Sequence, residues 1–115
     1  MSLETKCMKI QLKPGSLDRV RQWAREINSR RDEAVATLRD EGIIVESAFL
    51  GNSDQGDFLI YYIKAKSFEQ ADAAANSSNH PIDEFHQQFK RDTWLNRTEL
   101  EMLVDLDRLQ EVDEH

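Results

Sequence analysis

Apolar and polar residues alternate in some segments of this chain and recur with a helical spacing in others. Alternation over residues 6–12 predicts a strand with one apolar face. A spacing near 3.6 residues over residues 17–40 predicts a long amphipathic helix. That helix is expected to end at Gly42, and its composition allows it to be continuous or broken near residues 28–29.

The most apolar stretch is residues 57–64, where an uninterrupted apolar and aromatic run separates an aspartate from a lysine. A strand with one wet face should alternate, so this strand is expected to be covered on both faces. Residues 43–50 are also strand-like, and the Gly-, Asn- and Ser-containing segment 51–56 predicts a turn. We therefore interpret residues 57–64 as the central strand, paired with residues 43–50 in a hairpin.

The second half of the chain contains two shorter helical patterns. Residues 67–70 match a capping box, with a hydroxyl at the N-cap and Gln three positions later, and they begin a helix that fails at residues 76–79. A short amphipathic helix is predicted at residues 81–91, beginning at a proline. Residues 94–95 are assigned to a loop, and alternation over residues 99–106 predicts the last strand.

The predicted order is strand, helix, strand, strand, helix in two pieces, strand. This is the βαββαβ or ferredoxin-like arrangement, an α+β fold with a four-stranded antiparallel sheet, helices on one face and strand order 4-1-3-2. We expect a single domain over residues 1–115 with an ordered core at about 6–106. The helices cover one face of the sheet only, so its apolar second face predicts a homodimer that packs sheet against sheet.

Several features along the chain carry a resemblance to known proteins. They are Trp23, Thr37-Leu38, Glu41-Gly42, Glu46-Ser47, Phe49-Leu50, the run 56–62 and the segment 80–86. With these features, the chain as a whole resembles the dimeric α/β-barrel superfamily, which includes antibiotic-biosynthesis-monooxygenase-like, muconolactone-isomerase-like and stress-responsive barrel families. More narrowly, it resembles a small bacterial family of unknown function. The resemblance implies a homodimer, with a pocket between each sheet and its helices, and implies no agreed reaction.

Charge and cysteine content narrow the classes of partner and compartment. The 115 residues carry a net charge of −7 with a pI of about 4.9, which argues against nucleic acid and anionic membranes as partners. Cys7 is the only cysteine, so no intramolecular disulfide forms. No apolar run approaches the ~20 residues of a membrane span, and the first residues lack a signal-peptide core. We expect a cytoplasmic protein.

Four residues are candidates for catalysis if the protein is an enzyme. His86 has an intrinsic pKa suited to proton transfer. Arg31 falls on the apolar stripe of the long helix. Its side chain either extends past the helix edge into solvent, pairs with an acid such as Glu46, or binds a ligand anion. Glu46 interrupts an apolar strand and is either a base or the partner of Arg31. Tyr61 and Tyr62 point to opposite faces, and we assign Tyr62 to the helix side.

Four more residues are candidates for lining a ligand pocket. They are His80, Trp23, Trp94 and Phe85. His80 precedes a proline near a helix start, where a capping role is the simpler interpretation. The aromatic residues have packing as their simpler interpretation. The sequence contains no metal-ligand constellation and no glycine-rich phosphate loop, so we predict neither a metal nor a cofactor.

Three functions are compatible with these patterns. The first is a homodimeric binding protein with a small organic ligand between sheet and helices. The second is a cofactor-independent enzyme, monooxygenase-like or isomerase-like, that uses His86, Tyr62 and Arg31. The third is a haem-binding protein that uses His86 or His80. Convergence of at least three of Arg31, Glu46, Tyr62 and His86 on one cavity of ligand size would favour the enzyme.

Overall fold

The predicted order of strands and helices is confirmed in the computed structural model, which describes residues 3–112. Both helical segments are divided in two, and a short helix follows the last strand. The strands are β1 (Glu4–Leu12), β2 (Ile43–Ser53), β3 (Gly56–Ala65) and β4 (Trp94–Glu99), and the helices are α1 (Leu17–Ser29), α2 (Arg31–Glu41), α3 (Phe68–Asn76), α4 (Pro81–Thr93) and α5 (Leu109–Val112).

The strands form one antiparallel sheet in the order β2-β3-β1-β4, which is the predicted order. β3 lies between β1 and β2, as its apolar run indicated. Tyr61 is opposite Met8 of β1 and Ala48 of β2. Residues opposite one another in an antiparallel pair share a face, so these pairings assign every residue of β3 to one side of the sheet.

The two faces of the sheet differ in what covers them. The helix-covered face carries Leu59, Tyr61 and Ile63, all of them buried. The open face carries Ile60 and Tyr62, which alternate with them along β3. The assignment of Tyr62 to the helix side is therefore wrong, because the register with β1 turns Tyr61 toward the helices.

The core lies between the helix-covered face and the inner sides of α1 and α4. Ile10 and Phe89 are fully buried, and Val20 and Leu59 are nearly so. Trp23 of α1 stacks on Phe89 of α4, with ring centroids 4.2 Å apart and planes inclined by 6°. Aromatic stacking thus fixes the distance between α1 and α4 where both approach the sheet.

The long helical segment breaks at Arg30, which confirms the broken alternative. The backbone of Arg30 leaves the helical region at φ −110°, and α2 starts at the next residue. The break resets the helical phase, so Arg31 does not continue the apolar stripe of α1. Arg31 is exposed at the start of α2 rather than buried, and no ion pair joins it to Glu46 in the described chain.

The helices α3 and α4 begin as the capping signals predicted. Ser67 Oγ accepts a hydrogen bond from the backbone N–H of Gln70 at 3.2 Å. α4 begins at Pro81, and His80 occupies its N-cap position without a side-chain capping bond. Within residues 3–112, no helix combines the length and apolar composition that crossing a bilayer requires.

The last strand lies earlier than predicted. β4 pairs with β1 from Trp94 to Glu99, in the segment partly assigned to a loop, and the predicted strand at residues 99–106 is wrong. Residues 100–108, called here the C-terminal arm, alternate like a strand but have no partner strand. The arm crosses the open face, where Lys64 Nζ donates to Asp105 Oδ1 at 2.6 Å.

Candidate ligand-binding site

A cavity of about 700 Å³ lies between the helix-covered face of the sheet and helices α1 to α4. Its floor includes Met8, Glu46 and Ile63 from three strands, and its walls come from the four helices. Aliphatic side chains alternate with ionisable ones around it. Its aromatic and ionisable lining includes Trp23, His86, Glu41, Glu46, Lys90 and Arg97.

The central polar contact of the cavity wall joins Trp23 and His86. The indole Nε1–H of Trp23 donates to Nδ1 of His86 at 3.1 Å, and the two ring centroids are 5.7 Å apart. Burial, followed by the nearby positive charge of Lys90, lowers the pKa of His86 to about 3. His86 is therefore neutral at pH 7.

Glu46 of β2 and Lys90 of α4 both line the cavity, and each affects the charge state of the other. Solvent reaches Glu46 through the cavity, yet protein surrounds its carboxyl group, and this burial raises the pKa of Glu46. Burial lowers the pKa of Lys90, while the negative charge of Glu46 opposes that change. No salt bridge within 4 Å joins them in the part of the chain that the structure describes. Both groups remain available to a ligand.

Glu41, the last residue of α2, is the carboxyl group closest to neutrality. Burial, followed by the charges of Asp83 and Glu46, raises the pKa of Glu41 to about 7. The end of the cavity next to α2 therefore holds a carboxyl group that is about half protonated near pH 7. Such a group both donates and accepts hydrogen bonds.

His80 lies where the cavity opens toward a smaller one of about 450 Å³. Its Nε2 is 2.7 Å from Oδ2 of Asp40, at the end of α2. The hydrogen bond to Asp40 raises the pKa of His80, opposite to the direction for His86. The two histidines thus differ in kind: His80 is half exposed and paired with an acid, whereas His86 is enclosed and neutral.

The structure brings five of the eight predicted site residues to the cavity. These are Trp23, Arg31, Glu46, His80 and His86. Arg31 reaches the cavity from an exposed position.

The other three predicted site residues lie elsewhere. Tyr62 lies on the open face. Trp94 packs edge-on against Tyr61 at 5.6 Å and beneath the ammonium group of Lys90. Phe85 packs against the core and beneath the guanidinium group of Arg19. Neither aromatic residue lines the cavity.

The sequence matches a family model described as a family of unknown function (DUF6176) over residues 3–111. The chain belongs to this family. No curated protein matches the sequence significantly. The family and fold resemblances inferred from the sequence are thereby confirmed in their coarse form: a family of unknown function on an antibiotic-biosynthesis-monooxygenase-like ferredoxin fold.

Several solved structures share this fold. A candidate antibiotic biosynthesis monooxygenase of Bacteroides thetaiotaomicron has a TM-score of 0.59 and 11% identity over 91% of each chain. One from Nitrosomonas europaea has a TM-score of 0.56 and 13% identity over 85% of this chain and 86% of that chain. A protein of Pseudomonas aeruginosa has a TM-score of 0.55 and 13% identity over 89% of this chain and 94% of that chain. At these identities the likeness shows the fold alone.

Sequence reasoning missed four groups in or beside the cavity of this DUF6176 member. They are Glu41, Tyr61, Lys90 and Arg97. Lys90 follows His86 by four residues, so helical spacing alone places the two on one face of α4. Arg97 carried no such signal, because the segment that contains it was not recognised as a strand. Tyr61 could be assigned to the helix-covered face only once the strand register was known.

The cavity offers no metal site of conventional composition. Among residues 3–112, no cluster of three or more His, Cys, Asp or Glu side chains is arranged to hold a metal ion. His86 uses Nδ1 as an acceptor for Trp23, and His80 uses Nε2 in its pair with Asp40. The arrangement suits hydrogen bonding and proton transfer with an organic molecule.

Proposed function

We propose that this chain binds a small organic ligand in the cavity between sheet and helices, and that it does so as a cytoplasmic homodimer. The cavity carries the proposal, because its volume of about 700 Å³ falls within the roughly 300–1,000 Å³ of small-molecule sites. Its lining combines an aromatic wall at Trp23 with a few convergent polar groups, which is the usual composition of such sites. The free thiol of Cys7 supports a reducing compartment.

Ligand binding is testable by fluorescence, because the chain has two tryptophans and only Trp23 lines the cavity. In a Trp94→Phe background, small aromatic amides, acids and phenols are expected to change the Trp23 emission in a saturable way. Ala75→Phe, which fills the cavity from α3, should abolish the response. Ala73→Phe, an exposed position on the same helix outside the cavity, is the control. Equal responses from both variants would contradict the proposal.

The homodimer is proposed from the apolar groups on and beside the open face. Phe49 of β2 is 60% exposed, and the arm exposes Leu103, Val104 and Leu106 by 73–87%. Contiguous apolar surface of this kind marks an interaction site. A second copy of this chain is the economical cover, since two such sheets pack face to face.

Light scattering coupled to size exclusion tests the dimer. Wild type is expected to elute with twice the mass of one chain, and Phe49→Glu should shift it toward the monomer. A wild-type monomer at about 10 μM would refute the homodimer, because stable interfaces of standard size bind more tightly than that. Ligand binding in the cavity would be unaffected by that outcome.

A cofactor-independent enzyme, monooxygenase-like or isomerase-like, is the alternative function. The observation that favours it is the neutral His86 together with the raised pKa of Glu46 in one cavity. Two such groups are suited to taking a proton from one atom of a substrate and returning it to another. The fold shared with candidate monooxygenases adds support by analogy only.

Turnover distinguishes the enzyme from the binding protein. Enolisable aromatic ketones and hydroquinones are suitable probes, followed by oxygen consumption and by deuterium exchange in heavy water. An enzyme should show either signal in wild type and lose most of it in Glu46→Gln. Binding without either signal would leave the binding function alone.

Haem binding, the second alternative, has less support. A histidine bound to iron through Nε2 must carry its proton on Nδ1. In His86 that proton would face the indole N–H of Trp23, which already donates to Nδ1. We therefore expect no Soret band after haem titration, and a stable Soret band that disappears in His86→Phe would restore this alternative.

A further inference from the structure

The hydrogen bond between Trp23 and His86 determines where the proton of His86 lies. An indole N–H is a donor only, so Nδ1 of His86 must be the acceptor in the 3.1 Å contact. A neutral imidazole that accepts at Nδ1 carries its proton on Nε2. The doubly protonated ring is disfavoured as well, because its Nδ1–H would oppose the indole N–H.

The donor in this contact is held by the core rather than by solvent-exposed groups. Trp23 is only 8% exposed, and its ring stacks on the fully buried Phe89. His86 lies 6.0 Å from the same phenyl ring, on the same helix. Packing thus fixes the indole, and the indole fixes both the tautomer and the orientation of the imidazole.

Nε2 of His86 is left with a proton and no protein acceptor. No side-chain hydrogen bond among residues 3–109 uses that nitrogen, and His86 lines the cavity. Nε2 is not one of the fully buried polar atoms that lack a partner, so it is accessible from the cavity, where water or the oxygen of a ligand accepts its hydrogen bond. An N–H donor pairs with an oxygen acceptor and cannot accept a hydrogen bond from an ammonium group. The ammonium of Lys90, one turn later on the same helix, acts on the His86 ring in the same direction, although the carboxyl groups of Glu41 and Glu46 also line the cavity.

We propose that His86 is a fixed Nε2–H donor to the ligand of this cavity, positioned by Trp23, and that the ligand is an aromatic molecule with a carbonyl or carboxylate oxygen rather than an ammonium group. This inference rests on the proposed ligand-binding function. It adds the recognition element and the chemical class. Trp23 supplies the aromatic wall beside the donor, so the ring of the ligand and its oxygen are recognised by adjacent residues.

The tautomer is measurable without any ligand. Long-range 1H–15N correlation spectra of histidine-labelled protein at pH 7 are expected to show Nε2 protonated and Nδ1 unprotonated for His86. Trp23→Phe keeps a ring but removes the indole N–H, and His86 should then show a mixture of tautomers. A free protein with its proton on Nδ1 would overturn the inference and would leave the binding function standing.

Four probes of similar size then test the ligand class: benzamide, benzoate, benzylamine and toluene. Benzamide and benzoate are expected to bind about tenfold more tightly than toluene, which is the ratio that one hydrogen bond of ordinary strength provides. Both should shift the Nε2 resonance of His86. Benzylamine is expected to bind no more tightly than toluene.

Two variants connect that preference to the proposed donor. His86→Phe should bind all four probes with similar affinity, whereas Gln88→Phe, the same substitution at an exposed position of α4 outside the cavity lining, should keep the wild-type preference. Should His86→Phe fail to fold, Trp23→Phe serves in its place and is expected to reduce the preference severalfold. Equal binding of toluene and benzamide by wild type would overturn the inference alone. Absence of binding by all four probes would count against the proposed function too.

Discussion

Each face of the sheet encloses ionisable groups, and the two faces shift the pKa values of their basic groups in opposite directions. On the helix-covered face, His86 and Lys90 are enclosed without an ionic partner, and burial lowers the pKa of each. On the open face, Lys64 is only 3% exposed, but hydrogen bonds to Asp105 and Asp107 raise its pKa. Burial of a basic group without an acidic partner favours its neutral form, which is available to a ligand. Burial with an acidic partner preserves the charge, and the resulting ion pair stabilises the structure.

The largest expected difference between the faces is in packing. Phe89→Ala removes a fully buried ring that stacks on Trp23 and is expected to lower the free energy of unfolding by about 4 kcal/mol. Phe49→Ala is the matched change on the open face, and in an isolated chain it should cost less than about 1 kcal/mol. Urea unfolding at several protein concentrations measures both.

Phe49→Ala also tests what covers the open face. If its cost grows with protein concentration, a second copy buries Phe49. If the cost of Phe89→Ala is no larger than that of Phe49→Ala at every concentration, the contrast between a packed and an unpacked face fails.

The difference in packing explains which parts of the fold could be predicted from the sequence. Residues 58–63 are apolar on both sides of the strand, and β3 lies between β1 and β2, so the pattern predicted the centre of the sheet. The alternation over residues 99–106 looked identical to a strand, yet those residues have no partner strand. Hydropathy reports which side chains avoid water, and it does not report which backbone pairs with which.

Site residues were predictable where their spacing along one helix or strand placed them. They were not predictable where the pairing register of the strands placed them. Hydropathy spacing alone made candidates of three residues that line the cavity: Trp23, Glu46 and His86. Tyr62 was misplaced because alternation says only that two neighbours differ in direction. The sequence left open whether Arg31 is buried, because the break at Arg30 that shifts the phase of α2 and leaves Arg31 exposed could not be read from spacing.

The second-largest expected effect is the contribution of His86 to the pH dependence of the free energy of unfolding. Its folded pKa of about 3 lies below the unfolded value of 6.5, so the unfolded state binds a proton first as the pH falls. The corresponding stability is present above pH 6.5 and is lost between pH 6.5 and 3. We expect a loss of about 3 kcal/mol, reduced from the full shift because solvent enters the cavity.

The difference between wild type and His86→Gln isolates this contribution, because Gln does not titrate and its carbonyl group still accepts a hydrogen bond. Denaturant titrations from pH 7 to pH 3 are the measurement. His80→Gln is the control, and its effect has the opposite sign. The pKa of His80 is higher in the folded than in the unfolded protein, so its contribution to stability is present below pH 6.5 and is lost as the pH rises through the pKa of the folded state. Parallel stability curves for wild type and His86→Gln would show that His86 is not enclosed.

The smallest expected effect on global stability comes from releasing the C-terminal arm. Lys64 Nζ contacts Asp105 at 2.6 Å, Asp107 at 3.3 Å and Thr5 Oγ1 at 2.8 Å, and these contacts join the arm to β1 and β3. Asp105→Asn removes one charge from this group and should leave the melting temperature of the core nearly unchanged. Local opening of the arm should rise, and proteolytic cleavage within residues 100–108 should become roughly five- to tenfold faster.

Glu111→Gln provides the matched control, because among residues 3–109 Glu111 pairs with Arg108 in the same tail and not with the sheet, so it should not change the cleavage rate. The hydrogen bond from Lys64 holds the pKa of Asp105 below its usual range, so arm contacts should persist at neutral pH and loosen only as the pH falls toward that lowered value. Added salt should accelerate cleavage less than Asp105→Asn does, because the buried ammonium of Lys64 is poorly screened. If Asp105→Asn instead lowered the stability of the whole domain as much as Phe89→Ala, the arm would belong to the core, and the distinction between the two faces would disappear.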